Sequence, residues 1–190
     1  AAELEPGQEI LIYGASGSVG TYAVQLAKHY GATVTAVCSG KNHELVRSLG
    51  ADRVIDYTKE DFARQGRSYD AVFDVVGKAS YRGCVRVLKK GGTFLHAVGV
   101  PSVSLRMKLT SFMTGKKTVA NGPNVNPTDL ELLRGLIDDG VVKPVIDRRY
   151  ALEEIVEAHR YVETGRKRGN VVVTIQGSDG ASGHGRATGV

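Results

Sequence analysis

Three glycines, Gly14, Gly17 and Gly20, stand where an apolar run gives way to a helical pattern. Glycine in such a turn permits positive φ, removes the Cβ that would block a diphosphate, and lets helix and strand pack closely. The following helix would start with unpaired N–H groups and partial positive charge. This spacing is typical of a dinucleotide-binding turn, although Ala15 occupies the first glycine place of G-x-G-x-x-G. The backbone of this turn, which includes Gly17 and Gly20, is predicted to bind the pyrophosphate.

The segments on either side of the glycines predict a βαβ unit. A short β-rich run, Glu9–Tyr13, follows the turn-forming pair Pro6-Gly7, and residues 33–37 form a second β-branched run after Gly31. Between them, apolar residues recur at spacings of three and four, which predicts a helix with one apolar face. The residues predicted for that face are Val19, Tyr22, Ala23, Leu26, Ala27 and Tyr30.

The end of the second predicted strand bears on the choice of coenzyme. An Asp or Glu at this place usually binds the ribose of NAD. Here the sequence has no carboxylate before Glu44, whereas Ser39 offers a hydrogen-bond donor and Lys41 a positive charge. Both groups suit a 2′-phosphate, so Ser39 and Lys41 predict NADPH in preference to NADH. The alternative is that Lys41 is a solvated residue of the next helix.

The rest of the chain alternates predicted strands and helices. A helix over 42–49, a strand over 53–57, a central strand over 69–77, a helix up to about Leu88 and a strand over 93–99 after Gly91-Gly92 follow in turn. This order predicts an α/β fold with a doubly wound parallel sheet, whose ligands lie beyond the carboxyl ends of the strands. We therefore expect the cofactor also to border Gly77, Val98, Gly99 and Val100. The alternative is that these glycines are ordinary turn glycines.

Composition narrows the function classes. The 190 residues carry a formal charge of +5, but their basic residues form only short, separate groups, and 6% aromatic content offers no stacking pattern, which argues against nucleic acid. No apolar run is long enough to cross a membrane. Two cysteines and five scattered histidines predict neither a disulfide scaffold nor a metal site. The expected location is cytoplasmic, because no secretory signal pattern opens the sequence.

Several separate motifs resemble one family. They are Pro6-Gly7, the glycine-rich run at 14–20, Leu-Gly-Ala-Asp at 49–52 before Val-Ile-Asp-Tyr at 54–57, the strand at 69–74, and Gly91-Gly92. Over about residues 6–175 the chain resembles the cofactor-binding domain of the medium-chain dehydrogenase/reductase superfamily, in its quinone oxidoreductase-like branch. The resemblance implies hydride transfer from NADPH to a small quinone, enone or carbonyl substrate. It also implies a GroES-like catalytic domain ahead of this segment, so we expect the chain to be a fragment.

The same resemblance implies further site residues and a division of the chain. Ser16, Gly17, Ser18 and Val19 would lie against the pyrophosphate, and Asn170 would reach the phosphates. Val76 and Gly77 would border the adenosine side, and Val98, Gly99, Val100 and residues 119–121 the nicotinamide side. The edge of the sixth strand near 117–121 would form a homodimer. The predicted units are a Rossmann domain at 1–142, a segment at 143–175 that returns to the absent catalytic domain, and a disordered Gly/Ser-rich tail at 176–190.

Two alternatives stay open on the sequence alone. One is a non-catalytic NADPH-binding fragment. The other is an atypical short-chain dehydrogenase, although no tyrosine stands four residues before a lysine, as the usual proton donor of that class does. No catalytic acid is predicted; His96, near the end of a strand, is the histidine to test. Asp74 is expected to fix backbone near the cofactor, Cys84 to be packed, and Cys38 to lack an activating partner.

Overall fold

A computed structural model describes residues 4–97, 114–119 and 126–175. Its main sheet has six parallel strands in the order β3-β2-β1-β4-β5-β6. The strands are β1 (Glu9–Tyr13), β2 (Thr33–Cys38), β3 (Arg53–Asp56), β4 (Tyr69–Asp74), β5 (Leu88–His96) and β6 (Lys117–Val119). The reversal of strand order between β1 and β4 marks a doubly wound sheet, and the carboxyl ends beside that point are where ligands of such sheets bind. The predicted fold class is confirmed.

Helices cover both faces of this sheet. α1 (Ser18–His29) and α2 (His43–Ser48) lie on one face and α3 (Tyr81–Val87) on the other, and α4 (Pro127–Asp138) follows β6 in the chain. Side chains of β1 alternate between the faces, as a strand requires: Ile10 and Ile12 pack with α1 and α2, whereas Leu11 packs in a second cluster with α3. Burial on both faces explains why β1 is a continuous apolar run rather than an alternating one.

The buried face of α1 agrees with the predicted one at Ala27 and at Ala23, which packs against the core, but differs elsewhere. Val19 and Tyr30 are exposed, whereas Gly20, Thr21 and Gln25 are buried together with Val24 and Ala27. Two polar residues are thus turned inward. Gln25 is held there because its side chain bonds both the N–H (2.8 Å) and the carbonyl (3.0 Å) of Lys143, so its polar atoms are paired inside the fold.

The start of β5 also differs from the sequence prediction. Gly91 and Gly92 lie inside the strand and not in a turn before it. In this part of β5 the pairing with β4 shifts register, between Tyr69 and Ala71 of β4. A Cβ on Gly92 would lie 2.9 Å from the carbonyl oxygen of Asp70, so glycine lets the irregular strand approach its neighbour.

A second, two-stranded sheet follows the main one. It pairs β7 (Ile146–Ala151) in parallel with β8 (Asn170–Thr174), and helix α5 (Ile155–Glu163) connects them. An isolated bridge between Gly17 and Gly169 brings the loop before β8 to the glycine-rich turn. The division of the chain into units at 142 and 175 stays a prediction, and 176–190 lie outside the described residues. Within the described residues, every helix is too short or too polar to span a bilayer.

Candidate functional site

The fold itself accounts for two glycines of the turn after β1. Gly14 has φ +87°, a left-handed conformation, and a Cβ there would lie 2.8 Å from Cγ1 of Val76. Gly20 faces the turn from the first turn of α1, and its Cβ would lie 2.3 Å from the Gly14 carbonyl oxygen. Gly14 therefore shapes the turn, and Gly20 lets α1 pack directly against it.

Gly17 has no such explanation in the fold. Its φ is −82°, which any residue adopts, and a Cβ there would meet only the Gly14 carbonyl oxygen, at an unstrained 3.5 Å. It is the N-cap of α1, so that Cβ would occupy the space in front of the first helical N–H groups. This open space fits the pyrophosphate of a dinucleotide, which needs backbone amides without an intervening side chain.

The loop after β2 is tied directly to the glycine-rich turn. The buried amide of Asn42 donates from Nδ2 to Ser16 Oγ (3.0 Å) and to Ser39 Oγ (3.2 Å). Lys41 is exposed in the 3-10 turn Gly40–Asn42. The structure thus brings Ser16 and Ser39 together, and Asn42, which the sequence analysis did not single out, joins them.

One carboxylate does lie beside this loop. A Cβ on Gly40 would approach Oδ2 of Asp56 to 2.6 Å, so Asp56, at the end of β3, lies under the loop. Its Oδ1 accepts hydrogen bonds from the side chain (2.7 Å) and N–H (3.0 Å) of Thr58, and these bonds hold the pKa of the carboxyl below its usual value. Asp56 is buried and one of its two oxygens is bonded to Thr58, whereas Lys41 is exposed.

A third segment, after β4, completes the edge of the site. Asp74 is fully buried, and its carboxylate accepts from the N–H groups of Val76 (3.1 Å), Gly77 (2.9 Å) and Ala79 (3.0 Å). These bonds confirm that Asp74 fixes the backbone here. His96 Nε2 lies 3.9 Å from Asp74 Oδ2, and its side chain is only 10% exposed, at the end of β5. Val76 lies next to the glycine-rich turn, because a Cβ on Gly14 would stand 2.8 Å from its Cγ1, and Gly77 follows it in the chain.

The loop between α5 and β8 contacts the turn from another side. Gly169 N donates to the Ser16 carbonyl (2.8 Å), and Ser18 Oγ donates to the Gly169 carbonyl (2.9 Å). Lys167 Nζ reaches the same two oxygens, Ser18 Oγ and the Gly169 carbonyl. Asn170, predicted to reach the phosphates, donates from Nδ2 to the Val145 carbonyl at 3.1 Å.

The sequence analysis missed Lys167, because a run of three basic residues at 166–168 resembles an ordinary solvated surface. The one sequence feature that could have indicated Lys167 is its place between two glycines, Gly165 and Gly169, just before a β-branched strand. Val98, Gly99 and Val100, predicted at the nicotinamide side, lie outside the described residues, as do Ala120 and Asn121; Val119 ends β6.

Neither cysteine has the character of a nucleophile. Burial raises the pKa of the Cys38 thiol to about 11, with a contribution from Asp56, and that of Cys84 to about 12, with one from Asp74. Both thiols therefore stay protonated near neutral pH. Across the described ranges, no group of three His, Cys, Asp or Glu side chains is placed to hold a metal ion.

Comparison with known proteins identifies the family. Residues 49–173 match the zinc-binding dehydrogenase family. The chain belongs to that family. It is a member of the medium-chain dehydrogenase/reductase superfamily, as the motifs predicted, and this membership excludes the short-chain dehydrogenase alternative. The described part of this family member has no side-chain cluster that fits zinc.

Three relatives show how much of a longer protein the chain matches. It is 38% identical over 177 residues to 2-methylene-furan-3-one reductase of Solanum lycopersicum, covering 90% of the chain and 42% of the relative. It is 38% identical over 176 residues to the chloroplastic NADPH-dependent alkenal/one oxidoreductase of Arabidopsis thaliana, again covering 90% and 42%. The quinone oxidoreductase structure from Coxiella burnetii superposes with a TM-score of 0.81 at 31% identity, covering 90% of this chain and 54% of that one. The chain thus spans about half the length of these relatives or less.

Proposed function

We propose that the chain is the NADPH-binding domain of an oxidoreductase that transfers hydride to a quinone, enone or carbonyl substrate. The observation that carries the proposal is Gly17. Neither its φ nor any close neighbour requires glycine there, and the space that a Cβ would fill lies before the N-terminus of a 12-residue helix. An anionic diphosphate held by main-chain N–H groups accounts for both facts.

In this proposal each segment of the sheet edge has a separate part in binding. The turn at 16–20 binds the pyrophosphate through main-chain N–H groups, and Val76 and Gly77, held by Asp74, border the adenosine. Asn170 begins β8 directly after Gly169, which is bonded to the turn, and is proposed to reach the phosphates. The bound coenzyme supplies the hydride, and the chain orients it by holding its phosphates on a rigid βα unit. Val98, Gly99 and Val100 are proposed for the nicotinamide side on sequence grounds alone.

Ser39 and Lys41 support NADPH as the coenzyme. Ser39 is linked through Asn42 to Ser16 in the phosphate-binding turn, so it lies on the path from the pyrophosphate toward the adenosine ribose. Lys41, two residues further on, is exposed and offers a positive charge. The nearby carboxylate, Asp56, is buried, and its Oδ1 is bonded to Thr58. A 2′-phosphate would gain charge-assisted hydrogen bonds here. The Arabidopsis relative is named as NADPH-dependent, which agrees with this choice.

The proposed substrate class rests on the names of the relatives. A methylene-furanone, alkenals or enones, and quinones are all electron-poor conjugated molecules that accept hydride. We also propose a homodimer through β6, the last strand of the sheet among the described residues, and a cytoplasmic location; the Arabidopsis relative is chloroplastic.

A titration of the 190-residue chain with both coenzymes tests the proposal. Calorimetry should give tighter binding of NADPH than of NADH. Lys41→Gln should weaken NADPH binding by about 10-fold, the value of roughly one charge-assisted hydrogen bond, and leave NADH binding unchanged. Lys90→Gln is the matched control, because it removes the same charge from an exposed residue of β5 near the opposite edge of the sheet.

Two results would contradict the proposal. A folded chain that binds neither coenzyme removes the coenzyme-binding function, and tighter binding of NADH removes the NADPH assignment. Loss of NADPH absorbance with a small quinone or enone tests the chemistry separately. Binding without turnover would support the non-catalytic alternative for the isolated chain.

A further inference from the structure

Of the three consecutive basic residues at 166–168, only Lys167 turns toward the glycine-rich turn. Arg166 and Arg168 are exposed, whereas Lys167 is half-buried. Its ammonium donates to Ser18 Oγ and to the Gly169 carbonyl. Ser18 is the first residue of α1, so the ammonium lies beside the N-terminal end of that helix.

This position is electrostatically unfavourable for an isolated cation. The N-terminus of α1 carries partial positive charge, which repels an ammonium and attracts an anion. Both oxygens that Lys167 contacts are neutral, and among the described residues no carboxylate lies within 4 Å of its Nζ. Burial lowers the pKa of Lys167, and the more distant Asp147 only partly opposes that shift.

The loop nevertheless fixes Lys167 in place. Asp147 accepts from the N–H of Arg168 (2.9 Å) and from the hydroxyl of Tyr161 (2.6 Å), so its carboxylate holds the loop rather than the ammonium. Gly169 has φ +61°, and a Cβ there would lie 2.4 Å from the Val145 carbonyl oxygen, so only glycine permits this path. The chain thus orders a cation against the open space before Gly17.

We propose that Lys167 is a coenzyme-binding residue whose ammonium contacts the pyrophosphate, beside the main-chain amides of the glycine-rich turn. An anion at this place would be attracted by both the helix N-terminus and the ammonium, and it would relieve the repulsion between them. This inference rests on the proposed coenzyme-binding function. It adds a side-chain charge to a site otherwise built from backbone, and that charge comes from a segment about 150 residues away.

Removal of the charge from Lys167 tests this role. Lys167→Met should raise the dissociation constants of NADPH and NADH by the same factor, about 10- to 100-fold, because both coenzymes contain the pyrophosphate. Lys41→Met, in contrast, should affect NADPH alone. Arg166→Met is the matched control: it removes a positive charge from an exposed side chain of the same loop, and both affinities should stay within about twofold.

A second substitution separates charge from hydrogen bonding. Lys167→Gln keeps a donor for Ser18 Oγ but removes the charge, so it should weaken binding nearly as much as Lys167→Met. Binding restored by glutamine would overturn the proposal in favour of a structural role, and so would binding by Lys167→Met within about twofold of the original chain. Failure of the original folded chain to bind either coenzyme would instead overturn the underlying function.

A measurement on the unsubstituted chain covers the case in which Lys167→Met does not fold. Acetic anhydride labels accessible amines, and mass spectrometry of peptides reports each lysine. NADPH should slow the labelling of Lys167 several-fold and leave that of Lys90 unchanged. Equal labelling of Lys167 at saturating NADPH would refute the contact.

Discussion

Gly17→Ala should separate coenzyme binding from folding. Replacing glycine by alanine at φ −82° gains about 0.4–1 kcal/mol from the unfolded chain, whereas alanine caps a helix less well than glycine by a similar amount. The added Cβ meets only one atom, at 3.5 Å. The free energy of unfolding should therefore change by less than about 1 kcal/mol. The methyl group would stand where the pyrophosphate approaches, and the loss of one or two charge-assisted hydrogen bonds should weaken NADPH binding at least about 10-fold.

Gly20→Ala provides the comparison, three residues away in the same turn. Its Cβ would lie 2.3 Å from the Gly14 carbonyl oxygen and 2.6 Å from Cα of Ala15, and these backbone atoms cannot rotate aside. Overpacking of this kind costs about 1–3 kcal/mol, which lowers Tm by roughly 2–12 °C in a domain of this size. Thermal unfolding of both variants measures the change in stability, and calorimetry with NADPH measures the change in affinity. Unchanged affinity in a folded Gly17→Ala chain would refute the reasoning, and so would a large loss of stability in that variant.

Three further predictions concern residues around the site. Asn42→Ala should weaken NADPH binding about 3- to 10-fold in calorimetry and cost about 1–2 kcal/mol in urea unfolding, since two hydrogen bonds to serine hydroxyls are lost; equal affinity would contradict the positioning role. Native Cys38 and Cys84 should react with a thiol reagent at pH 8 far more slowly than in urea, because burial raises both pKa values; fast labelling of the folded chain would contradict it. Burial alone would raise the pKa of Asp147, but bonds from Tyr161 and Arg168 lower it overall, so its stabilisation is present above about pH 4 and is lost as the pH falls further. The stability difference between the original chain and Asp147→Asn, from urea unfolding at pH 7 and pH 3, should shrink at the lower pH; a constant difference would contradict the assignment.

The parts of the fold that the sequence predicted are those set by neighbouring residues. The βαβ unit from Glu9 to Cys38 follows from local periodicity and glycine punctuation, and all its elements appear at nearly the expected positions. The burial of Gln25 could not be read in this way. It depends on the backbone of Lys143, 118 residues further along, so helical periodicity alone missed part of the buried face of α1.

In the candidate site, too, the residues of a local motif could be predicted, and those positioned by distant parts of the chain could not. Ser16, Gly17 and Gly20 belong to a local motif whose chemistry is visible in the order of residues. Asn42 and Lys167 take their positions from tertiary hydrogen bonds, and an asparagine or lysine in a polar segment carries no local sign of them. The basic run at 166–168 looks like a solvated surface until the loop is seen to cross the turn.

The bridge between Gly17 and Gly169 has a consequence for biosynthesis. Ser16 and Ser18 both form hydrogen bonds with Gly169, which is translated about 150 residues later. A ribosome makes both halves of the six-stranded sheet before it makes the loop at 164–169. Before that loop has emerged from the ribosome, coenzyme in the cell should give the nascent chain little protection from proteolysis. After the loop has emerged, the protection should be strong.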